Sequence, residues 1–135
     1  MIADIEKFLG VNKSRNAIIL GAGRLGQALI NYNGFENDVN IMMAFDIDTT
    51  KCDNKKIFHI NKLEDKIIKN DIHIAIITAP ANNAQEICDR LIKAGIKAIW
   101  NFAPINLKVP ENIAIKNEDL STSLLVLLKM LEEKI

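Results

Sequence analysis

The chain has 135 residues, of which 49% are hydrophobic and 25% are charged, and its formal net charge is zero. This length and composition predict one globular domain, and the lack of a basic surplus argues against nucleic-acid binding by this chain alone. No stretch approaches the roughly 20 apolar residues of a membrane span, and Cys52 and Cys88 have no metal-ligand spacing, so a reduced cytoplasmic setting is expected.

The first predicted elements are a short helix over residues 3–9, which Gly10 ends, and an apolar strand over residues 16–20. A helix over residues 24–32 follows the strand. The helix at residues 3–9 is interpreted either as a packed cap or as the end of a linker from another domain.

Three glycines separate the first strand from the next helix. Gly21, Gly23 and Gly26 fit G-x-G-x-x-G, the dinucleotide-binding fingerprint. The first glycine allows a tight turn, the second lets the backbone approach a pyrophosphate, and the third lets the helix pack closely on its strand. The N-terminus of the helix also offers unpaired N–H groups to the phosphates.

The second predicted strand, residues 39–46, is nearly all apolar and ends in Asp46. Asp46 lies 25 residues after Gly21, close to the spacing expected of the acid that binds the adenosine ribose. Such a carboxylate repels a 2′-phosphate and so favours NAD(H) over NADP(H). The alternative is an aspartate that caps the following turn; we favour the ribose role, and interpret Asp48 as a loop residue or a helper near the adenine.

Strands and helices alternate through the rest of the chain, which predicts an α/β fold with a parallel, doubly wound sheet. Ligands of such sheets bind beyond the carboxyl ends of the strands. We therefore expect residues 21–26, 46–48, 78–80 and 101–104 to converge on one crevice. The remaining predicted elements are a polar loop at 49–56, strands at 57–60, 72–77, 97–102 and 112–115, and helices at 62–69 and 82–94.

The histidines and cysteines of this sequence are not in patterns typical of catalytic groups. His59, near a strand end, and His73, expected inside a strand, are interpreted as structural. Neither Cys52 in its polar loop nor Cys88 on a packed helix has a histidine nearby to form a thiolate pair. The pattern favours a module that binds a nucleotide without turnover, so we expect no enzymatic activity.

The last predicted helix, residues 120–134, is apolar on more than one side, whereas a surface helix keeps a polar back. It is interpreted either as the central helix of its own domain or, as we favour, as a helix buried in a partner subunit.

Several stretches resemble the family of redox-sensing transcriptional repressors called Rex. The resemblance covers nearly the whole chain, and its later motifs are more specific than the glycines. The matching stretches are GAGRLGQAL at 21–29, FDID at 45–48, AQEICDRL at 84–91, AGIKAIWNFAP at 94–104, LKVPE at 107–111 and DLS at 119–121.

The resemblance implies a homodimer that senses the NADH/NAD⁺ ratio through a Rossmann domain and exchanges its C-terminal helix between subunits. In this family an N-terminal winged-helix domain binds operator DNA, and NADH releases it. The expected organisation is a remnant linker helix at 1–10, an NAD(H)-binding domain at 11–118 and a dimerisation helix at 119–135. Operator DNA is then a partner only of a longer chain that carries the winged-helix domain.

The resemblance also implies roles for individual residues. The pyrophosphate turn is formed by Gly21, Ala22, Gly23, Arg24, Leu25 and Gly26. Asp46 binds the ribose, and the nicotinamide side of the crevice is formed by Thr78, Ala79, Pro80, Asn101, Phe102 and Ala103. One departure is Cys52-Asp53, where a glycine is expected, which affects the loop on the adenine side and the affinity.

Two other functions remain open. The chain fits the cofactor-binding half of an NAD-dependent oxidoreductase, although no substrate domain is present. It also fits a CoA-binding module of the kind found in acyl-CoA ligases, although Asp46 has little use for a ligand that carries a 3′-phosphate on its ribose.

Overall fold

The computed structural model describes residues 15–32, 39–118 and 120–134, with the side chains of 120–123 left out. The helix predicted at residues 3–9 lies outside the described residues. In chain order the elements are β1 (Arg15–Leu20), α1 (Arg24–Ile30), β2 (Val39–Asp46), β3 (Ile57–His59), α2 (Leu63–Lys69), β4 (Ile74–Ile77), α3 (Ala81–Ala94), β5 (Ala98–Asn101), β6 (Ala114–Asn117) and α4 (Leu120–Lys134).

The six strands form one sheet in the order β3-β2-β1-β4-β5-β6. Every neighbouring pair is parallel, as expected for strands joined by helical crossovers. The strand order reverses between β1 and β4, which makes the carboxyl ends of these two strands the switch point where such sheets bind ligands. The predicted doubly wound parallel sheet is confirmed.

Apolar residues cover the two faces of this sheet unequally. On one face α2 and α3 pack over the larger cluster, which includes Leu63, Ile67, Ile87 and Leu91. On the other face the helix that contributes to the smaller cluster is α1, through Leu29 and Ile30. Seven apolar residues of that second cluster remain only partly buried, among them Ile74, Trp100 and Phe102.

Helix α3 shows why the local sequence folds as it does. Its apolar positions Ala84, Ile87, Cys88 and Leu91 are spaced to face the sheet, and all four are buried. The helix ends at Gly95, whose φ of 114° is left-handed, and the Gly95 N–H caps the carbonyl groups at the end of the helix. The sequence prediction for this helix differs from the structure by one residue.

Two strands begin two residues later than the sequence predicts. Strand β4 begins at Ile74 rather than at residue 72, because Asp71 has a left-handed φ of 52° and the chain is still turning there. His73 is therefore exposed before the strand and forms a 3.1 Å ion pair with Asp71, instead of lying inside the strand as predicted. Strand β6 begins at Ala114 instead of at residue 112.

Residues of the family-like motifs connect the elements to one another. The Gln85 side chain donates to the Lys108 carbonyl (3.0 Å) and accepts from the Lys108 N–H (2.8 Å), so α3 fixes the segment between β5 and β6. Arg90 holds Glu64 of α2 by two hydrogen bonds of 2.8 and 2.7 Å, and this contact lowers the pKa of the Glu64 carboxyl. These motif residues stabilise the fold.

Helix α4 leaves its apolar side chains uncovered. Residues 124–134 are all exposed, and seven of them are large and hydrophobic: Leu124, Leu125, Val126, Leu127, Leu128, Met130 and Leu131. None of the helices in the described part of the chain is long and apolar enough to cross a membrane.

Candidate functional site

The three glycines form a tight turn at the carboxyl end of β1. Gly21 has a left-handed φ of 110°, and a Cβ there would lie 2.7 Å from the Thr78 hydroxyl oxygen. A Cβ on Gly26 would collide with the carbonyl oxygen of Gly21. Both positions therefore need glycine for the fold itself. Gly23 differs, because a Cβ there meets nothing within 4 Å and faces open space.

Hydrogen bonds from three elements hold this turn in place. The Gly21 N–H donates to the Phe45 carbonyl (2.7 Å), and the Ala22 N–H donates to Asp46 Oδ2 (2.7 Å). Directly after β4, the Thr78 hydroxyl donates to the Gly21 carbonyl (2.9 Å). The Gln27 side chain donates to the Ala22 carbonyl (2.8 Å). Hydrogen bonds within the protein therefore hold the turn in one conformation before any ligand binds.

Asp46 ends β2 and uses both carboxylate oxygens within the protein. Oδ2 accepts from Ala22, and Oδ1 accepts from the Asp48 N–H (2.8 Å). The turn-capping role and the position beside the glycine turn therefore occur together. Because two carboxylate oxygens offer about four lone-pair sites, further acceptor capacity is left for a ligand.

Asp48 begins the short 3₁₀ turn Thr49–Lys51. Its Oδ1 accepts from both the N–H (3.0 Å) and the hydroxyl (2.7 Å) of Thr50, and these bonds lower the pKa of the carboxyl. Asp48 is therefore a loop residue, and it also lies at the cavity described next.

A cavity of about 380 Å³ lies where the carboxyl ends of β1, β2 and β4 meet. Eight of its residues lie in the segments that the sequence predicts to converge, and seven of these are predicted site residues: Gly21, Gly23, Asp46, Asp48, Thr78, Ala79 and Pro80. Sequence reasoning missed the other six as site residues: Phe45, Ile47, Lys51, Ile60, Asn83 and Ile87. Three segments expected at one crevice therefore do share it.

Four of the six missed residues follow a recognisable pattern. Phe45 and Ile47 flank Asp46, whereas Asn83 and Ile87 are four residues apart on one side of α3. Helical spacing alone could have placed Asn83 and Ile87 together. Nothing in the sequence, however, tells which face of α3 reaches the cavity at its first turn.

The remaining residues of the glycine stretch lie outside the cavity. Ala22 is buried, Leu25 is half-buried and Arg24 is exposed at the first position of α1. Their role in binding stays a prediction.

The segment after β5 does not reach the cavity with its predicted residues. The Asn101 side chain is completely buried, and its Nδ2 donates to the Ala103 carbonyl (3.2 Å), the Ile105 carbonyl (3.0 Å) and Asn117 Oδ1 (2.9 Å). Phe102 packs against Trp100 with ring centroids 4.6 Å apart. Ala103 is buried. Asn101, Phe102 and Ala103 therefore do not line this cavity, and Asn101 stabilises the loop that follows β5. Their assignment to the nicotinamide side stays a prediction.

The loop on the far side of Asp48 is organised by Asp53. Its Oδ1 accepts the N–H groups of Lys55, Lys56 and Ile57, each at 2.9 Å, and these bonds lower the pKa of the carboxyl to about 2. Asn54 has a left-handed φ of 58°, which asparagine tolerates better than most residues. Where the sequence lacks the expected glycine, Asp53 and Asn54 together provide the turn.

The described residues contain no group of three or more His, Cys, Asp or Glu side chains that could hold a metal ion. His59 Nδ1 accepts from the Asn61 N–H (3.2 Å), which is a structural cap, and burial raises the pKa of the Cys88 thiol to about 11. Cys52 also has a raised pKa, because of partial burial and the carboxylates near it.

Comparison with known proteins places this architecture in a family. Residues 12–105 match the family model described as "CoA binding domain". The chain is 45% identical over 136 residues to the redox-sensing transcriptional repressor Rex of Caldanaerobacter subterraneus subsp. tengcongensis, and the match covers 97% of the chain and 61% of that protein. The chain thus spans about six-tenths of the length of this relative.

Solved structures agree with the curated relatives. The structure of RSP in complex with β-NADH matches with a TM-score of 0.86 and 43% identity, over 98% of this chain and 66% of that one. RSP, a Rex-family repressor, has also been solved with β-NAD⁺ and operator DNA, with a TM-score of 0.86 and 42% identity, over 98% of this chain and 63% of that one. The chain therefore belongs to the CoA-binding domain family and is a homologue of the Rex repressors.

Proposed function

We propose that this chain is the NAD(H)-sensing regulatory domain of a Rex-type transcriptional repressor. The observation that carries the proposal is the position of Asp46, at the end of β2 beside the glycine turn and on the wall of the cavity. That combination of a carboxylate and a glycine turn is the one that dinucleotide-binding folds use. The complex of RSP with β-NADH supports the choice of ligand.

In this proposal the pyrophosphate lies against the glycine turn. Gly23 leaves open space, so its backbone can approach the phosphates closely. The turn itself is held by Asp46, Thr78 and Gln27. Its backbone therefore needs no reordering when the ligand binds, which saves the free energy of ordering a loop.

The ribose of the adenosine half binds to Asp46. The cavity carries the carboxylates of Asp46 and Asp48 and the ammonium group of Lys51, so these three side chains together have a charge of −1. A 2′-phosphate placed against this charge is repelled. NAD(H) is therefore preferred over NADP(H).

In this proposal NAD(H) binding controls DNA binding by a dimeric repressor and involves no chemical turnover. Helix α4 exposes leucines on several sides, and the sheet face beside α1 leaves Ile74, Trp100 and Phe102 partly buried. Both surfaces are satisfied if α4 of one subunit packs on the other subunit of a homodimer. Operator DNA is bound by a winged-helix domain in a longer chain, in the cytoplasm.

Two alternatives keep specific support. The description of the matching family model favours a CoA-binding module. The fold also suits the cofactor half of an oxidoreductase. The CoA alternative conflicts with the site, since CoA makes little use of Asp46. Against an oxidoreductase stands the observation that neither His59 nor His73 lines the cavity.

Calorimetric titration with NADH, NAD⁺ and CoA separates these functions. The proposal expects saturable NADH binding and no displacement of NADH by CoA. Steady oxidation of NADH in the presence of small carbonyl compounds would favour an oxidoreductase. Binding of CoA with displacement of NADH would favour a CoA-binding module.

A further inference from the structure

Asn83 presents an unsatisfied polar group beside the cavity. It lies on the first turn of α3, where its N–H donates to the Pro80 carbonyl (3.3 Å), and its side chain lines the cavity. The side-chain oxygen, Oδ1, is completely buried, and no donor among the described residues reaches it. Because a buried acceptor without a donor costs free energy, a partner that offers an N–H or O–H group to this oxygen would relieve that cost.

The walls near Asn83 suit a flat apolar ring. Ile47, Ile60 and Ile87 contribute to this cavity together with Ala79 and Pro80, and Asp46 marks the ribose end. A base attached to that ribose would lie between these apolar side chains. Two uncharged polar side chains line the cavity. The Thr78 hydroxyl already donates to the Leu20 and Gly21 carbonyls, which leaves Asn83 to face the edge of the base.

We propose that Asn83 recognises the edge of the adenine base through its side-chain amide. The proposal rests on the proposed function, since it assumes that the cavity takes the adenosine half of NAD(H). Adenine presents an exocyclic amino group next to a ring nitrogen. An asparagine amide matches that pair, with its oxygen accepting from the amino group and its nitrogen donating to the ring nitrogen.

The test uses a dinucleotide that differs only at that edge. Deamino-NADH carries hypoxanthine, in which a carbonyl oxygen replaces the adenine amino group. At the edge formed by that group and ring nitrogen N7, both atoms are then acceptors, and no orientation of the Asn83 amide pairs with both. The wild-type chain is expected to bind NADH roughly tenfold more tightly than deamino-NADH, the discrimination that a good paired contact with a base provides.

Substitutions then assign the discrimination to one side chain. Asn83→Ala and the similarly sized Asn83→Leu should weaken NADH binding about tenfold and bring the ratio of the two dissociation constants close to one. The matched control is Asn82→Ala, because Asn82 is the exposed neighbour on the same helical turn and does not line the cavity. This control should keep the wild-type ratio.

The outcomes separate this inference from the proposed function. Binding of both dinucleotides by the wild-type chain with a ratio near one overturns the role of Asn83 and leaves the proposed function intact. A wild-type ratio that persists in folded Asn83→Ala or Asn83→Leu protein also overturns it. If the wild-type chain binds neither dinucleotide, the proposed function fails and the role of Asn83 fails with it.

Discussion

The glycines of the turn serve two different purposes, and single substitutions separate them. The fold itself requires glycine at positions 21 and 26, because a Cβ at either position meets neighbouring backbone. Gly23 has free space around it, so the need for glycine at this position comes from the ligand that is proposed to bind there. The same motif therefore contains folding residues and a ligand residue.

Replacement of Gly23 by alanine should leave stability nearly unchanged and weaken NADH binding, because the added methyl group keeps the pyrophosphate away from the backbone. A loss of about tenfold or more in affinity is expected, with a melting temperature close to that of the wild type. Calorimetry and thermal melting measure the two effects.

The control for that substitution is Gly26→Ala, which should destabilise the fold by roughly 1–3 kcal/mol through overpacking. Equal melting temperatures for the Gly26 and Gly23 variants would contradict the division between folding and binding glycines. Full NADH affinity in Gly23→Ala would contradict the proposed position of the pyrophosphate.

At the residue scale, sequence reasoning locates residues where a motif carries its own spacing. Asp46 and the three glycines could be placed side by side from their positions alone, with their binding roles still predictions. Asn101 could not, because its role depends on groups at residues 103, 105 and 117 that only the fold brings together. Asn83 could not be found for the same reason, since its unpaired oxygen is visible only in three dimensions.

At the scale of elements, the loop between β2 and β3 depends on one carboxylate. Asp53 accepts three backbone N–H groups, and these bonds lower its pKa to about 2, below the usual 3.8 of a free aspartate. A lowered folded pKa means that the stabilising contribution is complete above the unfolded pKa and is lost as the pH falls toward 2. The loop should therefore lose stability as the pH falls from about 4 toward 2.

Thermal melting of the wild type and of Asp53→Asn between pH 6 and pH 2.5 tests this role. The wild type should melt at a higher temperature near neutral pH, and the gap should narrow below about pH 4, as the Asp53 carboxylate gains a proton. The control is Asp65→Asn, an exposed carboxylate in the first turn of α2. A gap that stays constant across the pH range would show that the carboxylate charge does not hold the loop.

Element boundaries show what periodicity cannot supply. The apolar run that begins at Ile72 predicts a strand, yet Ile72 is buried in the turn before β4, with its N–H bonded to the Ile67 carbonyl (3.2 Å). Apolar residues also fill the core from turns, so the end of an apolar run need not be the end of a strand. The type and order of the elements were predictable, whereas their ends depended on turns such as the one at Asp71.

At the scale of the whole molecule, two uncovered apolar surfaces lead to an expected assembly. The leucines of α4 and the partly buried side chains on the α1 face of the sheet would both be removed from water in a dimer. Alternation of strands and helices predicted the sheet. How α4 is partnered is not encoded in its own periodicity, because an apolar helix buries equally well in its own subunit or in another.

A charged residue on the apolar helix should disrupt that dimer. Leu127→Glu is expected to shift the chain to a monomer in size-exclusion chromatography with light scattering, because a carboxylate buried without a partner is costly. Lys129→Glu also introduces a carboxylate into α4, but at a position that is already charged, and should leave the dimer intact. A wild-type chain that is monomeric at tens of micromolar would contradict the proposed role of α4.

Asp46 is proposed to select NAD(H), and the ratio of the dissociation constants for NADPH and NADH tests this role most directly. The wild type should bind NADH at least tenfold more tightly than NADPH. Asp46→Ala should weaken NADH binding by about 1–3 kcal/mol and bring the ratio toward one.

The ratio is the decisive quantity because Asp46 also holds the Ala22 N–H, so its loss weakens the turn for both ligands. Thr78→Val provides the control, since it removes a hydrogen bond to the turn without changing a charge, and should weaken NADH and NADPH equally. Preferred binding of NADH that disappears in Asp46→Ala and persists in Thr78→Val is the predicted result. NADPH binding as tight as NADH binding in the wild type would contradict the account.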